Sequence, residues 1–354
     1  MKIAVLMSGG IDSSFAALYL ATKSHNVLGV TFLEIGDKIE EKEILRAKRV
    51  AKIISIPHIV LNTKNIYKKE IIQPFCDALL KGETPNACPF CNRKIKFGLV
   101  FNRLRKMGIK KVATGHYVRG GYNLKNKRWF LKKAQDKKKD QSYFLWQLSQ
   151  EQLSRTLFPL GGFTKEEIKK KMEQKFPQIF SIKEYKESQD ICFLREENLS
   201  DFLRKKFKEN PGPIYNIKGE KIGEHPGTYF FTIGQRTGLK IGAKTPFQEP
   251  LYVLDIRVTN NAIVIGEEKY LFEREFKIKD LNWVSIVPPK TKVKVMARIR
   301  YRHKEDDAEV WPLPNNTAEV IFKKSQRAIT PGQHVVFYKK DILLGGGIIQ
   351  SLKT

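Results

Sequence analysis

Two groups of residues in this 354-residue chain have the types and spacing for chemistry. Met7-Ser8-Gly9-Gly10-Ile11-Asp12-Ser13-Ser14 follows the apolar run Ile3-Ala4-Val5-Leu6 and opens a helical stretch reaching about Thr22. At a strand-to-helix turn, small side chains and unpaired backbone N–H groups can wrap an anion, so the octet reads as a phosphate cradle. It lacks the Gly-Lys-Ser/Thr ending of a Walker A loop, so transfer of a γ-phosphate helped by a P-loop lysine is not implied. A plain tight turn would explain the glycines but not the whole octet behind a strand. The second group is Cys88-Pro89-Phe90-Cys91, just before Asn92 as helix cap, together with Cys192 inside Ser188-Gln189-Asp190-Ile191-Cys192-Phe193. A helix N-terminus and nearby bases lower a thiol pKa, which favours reactive thiolate. Taken alone, C-x-x-C fits redox chemistry or half of a zinc site, and a cysteine between Ile and Phe fits core packing. Packing is also the reading for Cys76.

The elements that must position these groups alternate. A strand at 3–7 is followed by β-rich His25–Leu33, a helix near Lys38–Ile54, a strand at Pro57–Leu61 and a helix at Ile66–Lys81. A Pro-containing loop, a helix from Asn92 to Met107 stopped by Gly108, and a strand at Lys111–Thr114 continue the pattern. Such alternation implies a doubly wound parallel sheet with helices on both faces. A hairpin (Tyr117–Tyr122, Arg128–Leu131) and helices to Lys208 complete a first domain, 1–208. Gly, Pro, Tyr and Thr then dominate a small β-rich domain, 209–270. Strand-like Lys292–Tyr301, Thr317–Phe322, His334–Tyr338 and Ile342–Ile349 suggest a closed antiparallel β-barrel over 271–354.

Composition narrows the function. Lys and Arg total 65 against 37 Asp and Glu, a net charge of +28 that favours a polyanion, nucleic acid first, through phosphate contacts. Since 48 of the bases are Lys, compositional bias is the competing explanation. No uncharged apolar run approaches the ~18 residues that cross a bilayer. Four unevenly spaced cysteines and the lack of a signal-peptide pattern point to a reducing cytoplasm.

The octet resembles the pyrophosphate loop of the ATP pyrophosphatases, which split ATP to AMP and pyrophosphate while activating a carbonyl oxygen. Further strings narrow the resemblance: Ala113-Thr114-Gly115-His116-Tyr117, Lys139-Asp140-Gln141-Ser142-Tyr143, Ile222-Gly223-Glu224-His225, Thr232-Ile233-Gly234-Gln235-Arg236, Arg300-Tyr301-Arg302, Thr330-Pro331-Gly332-Gln333 and Gly345-Gly346-Gly347. With the cysteine segments, they make the chain similar over nearly its full length to the tRNA-specific 2-thiouridylase family. The resemblance implies ATP-dependent replacement of the C2 oxygen of a wobble uridine by sulfur, on the anticodon arm of a tRNA, with the base flipped out. It also implies Mg²⁺ and a sulfur-donor protein, a cysteine desulfurase or relay protein.

Carried over by position, Leu6, Met7, Ser8, Gly9, Gly10, Ile11, Asp12, Ser13, Phe32 and Gly115 would hold ATP, with Asp12 also catalytic. Phe32 stands where the family usually has Met. Cys192 would carry sulfur as a persulfide, and Cys91 would release it, leaving a transient Cys91–Cys192 disulfide. Asn86, Ala87 and Cys88 match the segment that meets the base. His116, Lys139, Asp140, Gln141, Arg300, Tyr301 and Gln333 match tRNA-contacting positions; for each, a surface or fold-stabilising role is the alternative. Where the family commonly has Asn-Pro-Asp, this chain has Asn86-Ala87-Cys88. Cys88, Cys91 and Cys192 could therefore hold three irons of a [4Fe-4S] cluster, whereas zinc would need a fourth ligand, with His116 the candidate. Persulfide chemistry is preferred. An ammonia-using ligase with the same loop would have no use for Cys91 and Cys192, and a binding protein without catalysis would not need Asp12.

Overall fold

The computed structural model describes residues 1–177, 179, 191–194, 197–239 and 249–350. Ser188, Gln189 and Asp190 of the Cys192 motif lie outside the described residues. β1 (Lys2–Leu6) leads through α1 (Ile11–Thr22) to its parallel partner β2 (Asn26–Leu33). α2 (Lys38–Ile53) then leads to β3 (His58–Asn62), which pairs with β2, and β4 (Lys111–Ala113) flanks β1 on its other edge. After a hairpin, β5 (Val118–Asn123) and β6 (Arg128–Lys133), the short β7 (Thr156–Leu157) completes a parallel sheet of order β3-β2-β1-β4-β7. Alternate β1 residues enter two cores. Ala4 and Leu6 join Val30, Tyr67 and Phe75 on one face, while Ile3 and Val5 join Phe15 and Val50 on the other. A strand covered on both faces shows this unbroken apolar run.

The helical stretch carrying Cys88 and Cys91 departs from the sequence reading in two ways. It starts at Ala87 and not at Asn92, because the Asn86 side chain accepts the Cys88 N–H at 3.1 Å. Pro89 is tolerated there because first-turn N–H groups have no intrahelical partner. From Cys91 to Val100 the backbone is π-helical, and Gln152 Nε2 donates to the carbonyls of Arg93 and Phe97 at 2.8 and 3.1 Å.

The smaller sheet comprises β8 (Gly212–Tyr215), β9 (Lys221–His225), β10 (Leu251–Arg257) and β11 (Ala262–Glu267), in the order β10-β11-β8-β9, around Ile214, Val253 and Ile263. The last six strands are β12 (Phe272–Trp283), β13 (Val293–Arg298), β14 (Asp306–Leu313), β15 (Thr317–Arg327), β16 (His334–Lys339) and β17 (Ile342–Ile349). They form the expected antiparallel barrel, closed by β12 pairing with β17 around Phe276, Val310, Phe322 and Phe337.

The barrel also recruits the hairpin: Leu131 and Lys132 of β6 pair with Leu343 and Ile342 of β17. Trp146 Nε1 donates to His334 Nδ1 at 3.0 Å in the same seam, where both side chains are fully buried. The α/β unit and the barrel thereby share a core. Among the described residues no helix is long and apolar enough to cross a membrane.

Candidate active site

The octet forms the turn between β1 and α1. Gly10 is the extended residue before the helix and supplies no side-chain cap, so the positive end of the α1 dipole faces this turn, the arrangement in which a helix end meets an anion. Inside the turn, the Ser8 N–H donates to Ser13 Oγ at 3.1 Å, and Ser13 Oγ donates to the Gly10 carbonyl at 3.1 Å. Gly9 has φ +73°, and a Cβ there would lie 2.2 Å from the Glu43 carbonyl oxygen of α2. Gly115, past the end of β4, comes so close that a Cβ would fall 2.8 Å from Ser13 N. Phe32 lies half-buried near the end of β2. A cradle this tight against backbone, at a helix N-terminus, fits a polyphosphate.

Asp12 lies at the cradle and is not free. Lys165 Nζ bonds both its carboxylate oxygens at 2.7 Å, and Tyr117 Oη donates to Oδ1 at 2.6 Å. Sequence reasoning missed Lys165, which is 5% exposed. Thr164 and Glu167 form a reciprocal capping box that fixes Lys165 as the first residue of helix Lys165–Lys175. A lysine there opposes the helix dipole, and that anomaly was the available signal. Its ammonium stands where phosphate charge would need neutralising.

The thiols differ in access. Cys91 is buried, Cys88 half-buried and Cys192 exposed, while Cys76 sits in the core. The lowered thiol pKa expected from the helix N-terminus is not what the fold produces. Burial pushes Cys88 up to about 11 and Cys91 well above its ordinary value, and Lys96 only partly offsets this. Burial disfavours the charge on Lys96, but Cys91, Glu34, Cys192 and Cys88 outweigh it and raise its pKa. Among the described residues, Lys96 is thus the cation of the thiol site, one of the nearby bases of the cysteine motif. Tyr67 Oη lies 3.0 Å from Cys192 Sγ. Phe193 packs edge-on against Phe75, 5.2 Å between ring centroids, and anchors the turn carrying Cys192. His116 Nδ1 lies 2.9 Å from Thr114 Oγ1, and burial holds the ring neutral with a pKa of about 3. Among the described residues no three His, Cys, Asp or Glu side chains are placed to hold a metal ion. Cys88, Cys91 and Cys192 therefore do not meet as a ligand triad in this arrangement, nor does His116 complete a zinc set.

Most residues matched to RNA contacts are engaged inside the protein. Asp140 is 5% exposed and accepts from the Ala134 N–H, Ser142 Oγ and Arg298. Gln141 Oε1 accepts the Tyr117 N–H at 3.0 Å, and Arg300 donates to the Ala328 carbonyl and to Thr330 Oγ1. The Tyr301 ring lies 4.4 Å from that of Phe144, and Lys139 is half-buried. Gln333 Nε2 donates to the Thr84 carbonyl at 2.9 Å, gripping the loop that leads through Asn86 and buried Ala87 to Cys88.

The chain matches the model of the tRNA methyl transferase HUP domain at residues 1–196, of the tRNA methyl transferase PRC-barrel domain at 200–267 and of the aminomethyltransferase beta-barrel domain at 273–349. It is 41% identical to the tRNA-specific 2-thiouridylase MnmA 1 of Caldanaerobacter subterraneus subsp. tengcongensis, covering 99% of this chain and 98% of that one. The chain belongs to the tRNA-specific 2-thiouridylase family. Other 2-thiouridylases show the same full-length match: that of Acetivibrio thermocellus is 40% identical over 99% of both chains, and that of Clostridioides difficile 38% identical over 99% of this chain and 98% of its own. A 4-thiouridine synthetase solved with RNA and ATP aligns with 58% of this chain and 49% of its own, at 20% identity and a TM-score of 0.38. Within the 2-thiouridylase fold, the octet turn and the thiol site occupy one α/β unit, tied to the barrel by the Thr84 loop and the β6–β17 seam.

Proposed function

We propose that this protein is an ATP-dependent tRNA-uridine 2-sulfurtransferase, acting in the cytoplasm on the wobble uridine of an anticodon arm. The working division is 1–208 for chemistry, with 209–270 and 271–354 gripping RNA. A uridine C2 oxygen is a poor leaving group. Attack of that oxygen on the α-phosphate of ATP expels pyrophosphate, and the adenylated oxygen then departs as AMP. The N-terminal turn of α1 and the Lys165 ammonium meet the phosphates. Mg²⁺ near Asp12 would further neutralise phosphate charge.

Exposed Cys192 accepts sulfur from a persulfide-bearing donor protein. Buried Cys91, beside Lys96, gives up its thiol proton to water as it attacks Cys192 Sγ; the S–S bond of the persulfide breaks, hydrosulfide leaves, and a Cys91–Cys192 disulfide forms. Hydrosulfide attacks C2 and AMP leaves. An external thiol returns two electrons to the disulfide and resets the enzyme. The observation that carries this reading is the pairing of an exposed with a buried thiol in the same α/β unit as an anion cradle.

Anaerobically purified enzyme tests it, with iron and sulfide measured beside thiolation. Cys91→Ser and Cys192→Ser are expected inactive, and Cys88→Asp impaired but measurable in air, with trapped sulfur on Cys192. Wild-type activity that tracks iron content would replace the persulfide by a cluster on the three thiols.

A further inference from the structure

Tyr67 is fully buried, its ring packed in the core beneath the parallel sheet, yet its hydroxyl reaches the exposed Cys192. Buried hydroxyls need partners, and among the described residues this one has a single hydrogen-bond partner, Cys192 Sγ at 3.0 Å. We propose that Tyr67 is a positioning residue for sulfur loading, whose O–H donates to Cys192 Sγ and holds that atom as a thiolate facing the donor. This rests on reading Cys192 as the sulfur carrier.

The backbone fixes the geometry. Tyr67 ends a helical turn, Lys64–Tyr67, and a π-helical segment, Lys68–Ile72, continues from it, so the phenol swings little. Burial, then Cys192, Cys91 and Glu34, raise its pKa, so the oxygen keeps its proton and acts as donor. Among the described residues, the other charged or titratable groups facing the thiol site are Lys96 and Cys88, with Lys96 the cation. In loading, Cys192 thiolate attacks the outer sulfur of the donor persulfide. The donor S–S bond breaks, its electron pair leaves with the donor thiolate, and the new Cys192 persulfide keeps the proton of the transferred sulfur. The same O–H steadies Cys192 as leaving thiolate when an external thiol reduces the Cys91–Cys192 disulfide.

The test is the pH dependence of Cys192 alkylation by iodoacetamide in the full-length protein, read by mass spectrometry of the Cys192 peptide. Tyr67→Phe should move the inflection to higher pH and slow alkylation about tenfold at neutral pH, as loss of a hydrogen bond to a charged acceptor demands. Thiolation kcat should fall while KM for ATP and tRNA holds. Should Tyr67→Phe fail to fold, fluorotyrosine incorporation into the wild-type chain gives a more acidic O–H of nearly the same shape, and the inflection should move down. A folded Tyr67→Phe with an unchanged profile, or no response to fluorotyrosine, overturns the proposal. Full thiolation by Cys192→Ser would instead sink the carrier reading while leaving the effect of Tyr67 on Cys192 alkylation standing.

Discussion

Gln333→Leu separates two roles that the sequence leaves open. Gln333 matches a tRNA-contacting position, yet its Nε2 donates to the Thr84 carbonyl at 2.9 Å in a partly buried setting. Leu keeps the volume and removes the donor. The net loss is about 1 kcal/mol, roughly a factor of five in the ratio of seated to unseated loops. The loop is loosened, not released, because the Thr84 N–H still donates to the Pro331 carbonyl at 2.7 Å and Thr84 Oγ1 still meets Thr232 Oγ1. The Lys279–Glu83 ion pair at 3.2 Å, part-exposed, adds little. Single-turnover thiolation at saturating ATP and tRNA should therefore slow measurably, by at most about fivefold. Filter-binding Kd for tRNA should stay within about twofold of wild type. A raised Kd with unchanged turnover would refute this and restore the direct RNA contact; no change in either would show that the Thr84 clamp is idle.

Gly9→Ala forces a left-handed residue costing about 1–2 kcal/mol and drives a methyl into the Glu43 carbonyl. ATP- and tRNA-dependent pyrophosphate release should fall about a hundredfold with helix content retained, and near-normal release would contradict the cradle. Affinity for tRNA should fall steeply with salt, by about 0.9 log units per phosphate contact per log unit for duplex regions; a flat profile would make the +28 charge compositional. Burial holds His116 and His334 to pKa values of about 3, below their ordinary 6.5. Below pH 6.5 the unfolded chain takes up protons that the folded chain refuses, so stability drops by about 1.4 kcal/mol per pH unit for each, as pH falls toward 3. The urea midpoint should be lower at pH 5 than at pH 7, and equal midpoints would contradict the burial.

What was legible in the sequence was local. The β1 run and the octet after it announce a strand, a turn and a helix start within a dozen residues, and the alternating elements announce a parallel sheet. Lys165 was not legible beside Asp12 because 153 positions separate them and neither periodicity nor composition links them. The helix at Ala87 was read five residues late because Pro89 looked like a loop signal, although proline suits a first turn. The π-helix at Cys91–Val100 leaves no mark in apolar spacing, and its carbonyls depend on Gln152 from a distant helix. Pairing of β6 with β17 is equally hidden, since an alternating strand does not name its partner. For the thiols, the helix-end argument had the right sign for a local effect, but desolvation at Cys91 is larger.

The most direct test of the central claim follows the oxygen. A tRNA carrying heavy oxygen at C2 of its target uridine is incubated with the enzyme, ATP and a sulfide source, and the products are weighed by mass spectrometry. Adenylation followed by sulfur attack predicts 2-thiouridine in the tRNA and the heavy oxygen in the phosphate of AMP, one AMP per thiolated base. Thiolated tRNA with unlabelled AMP, or label retained in the tRNA while ATP is consumed, would contradict it.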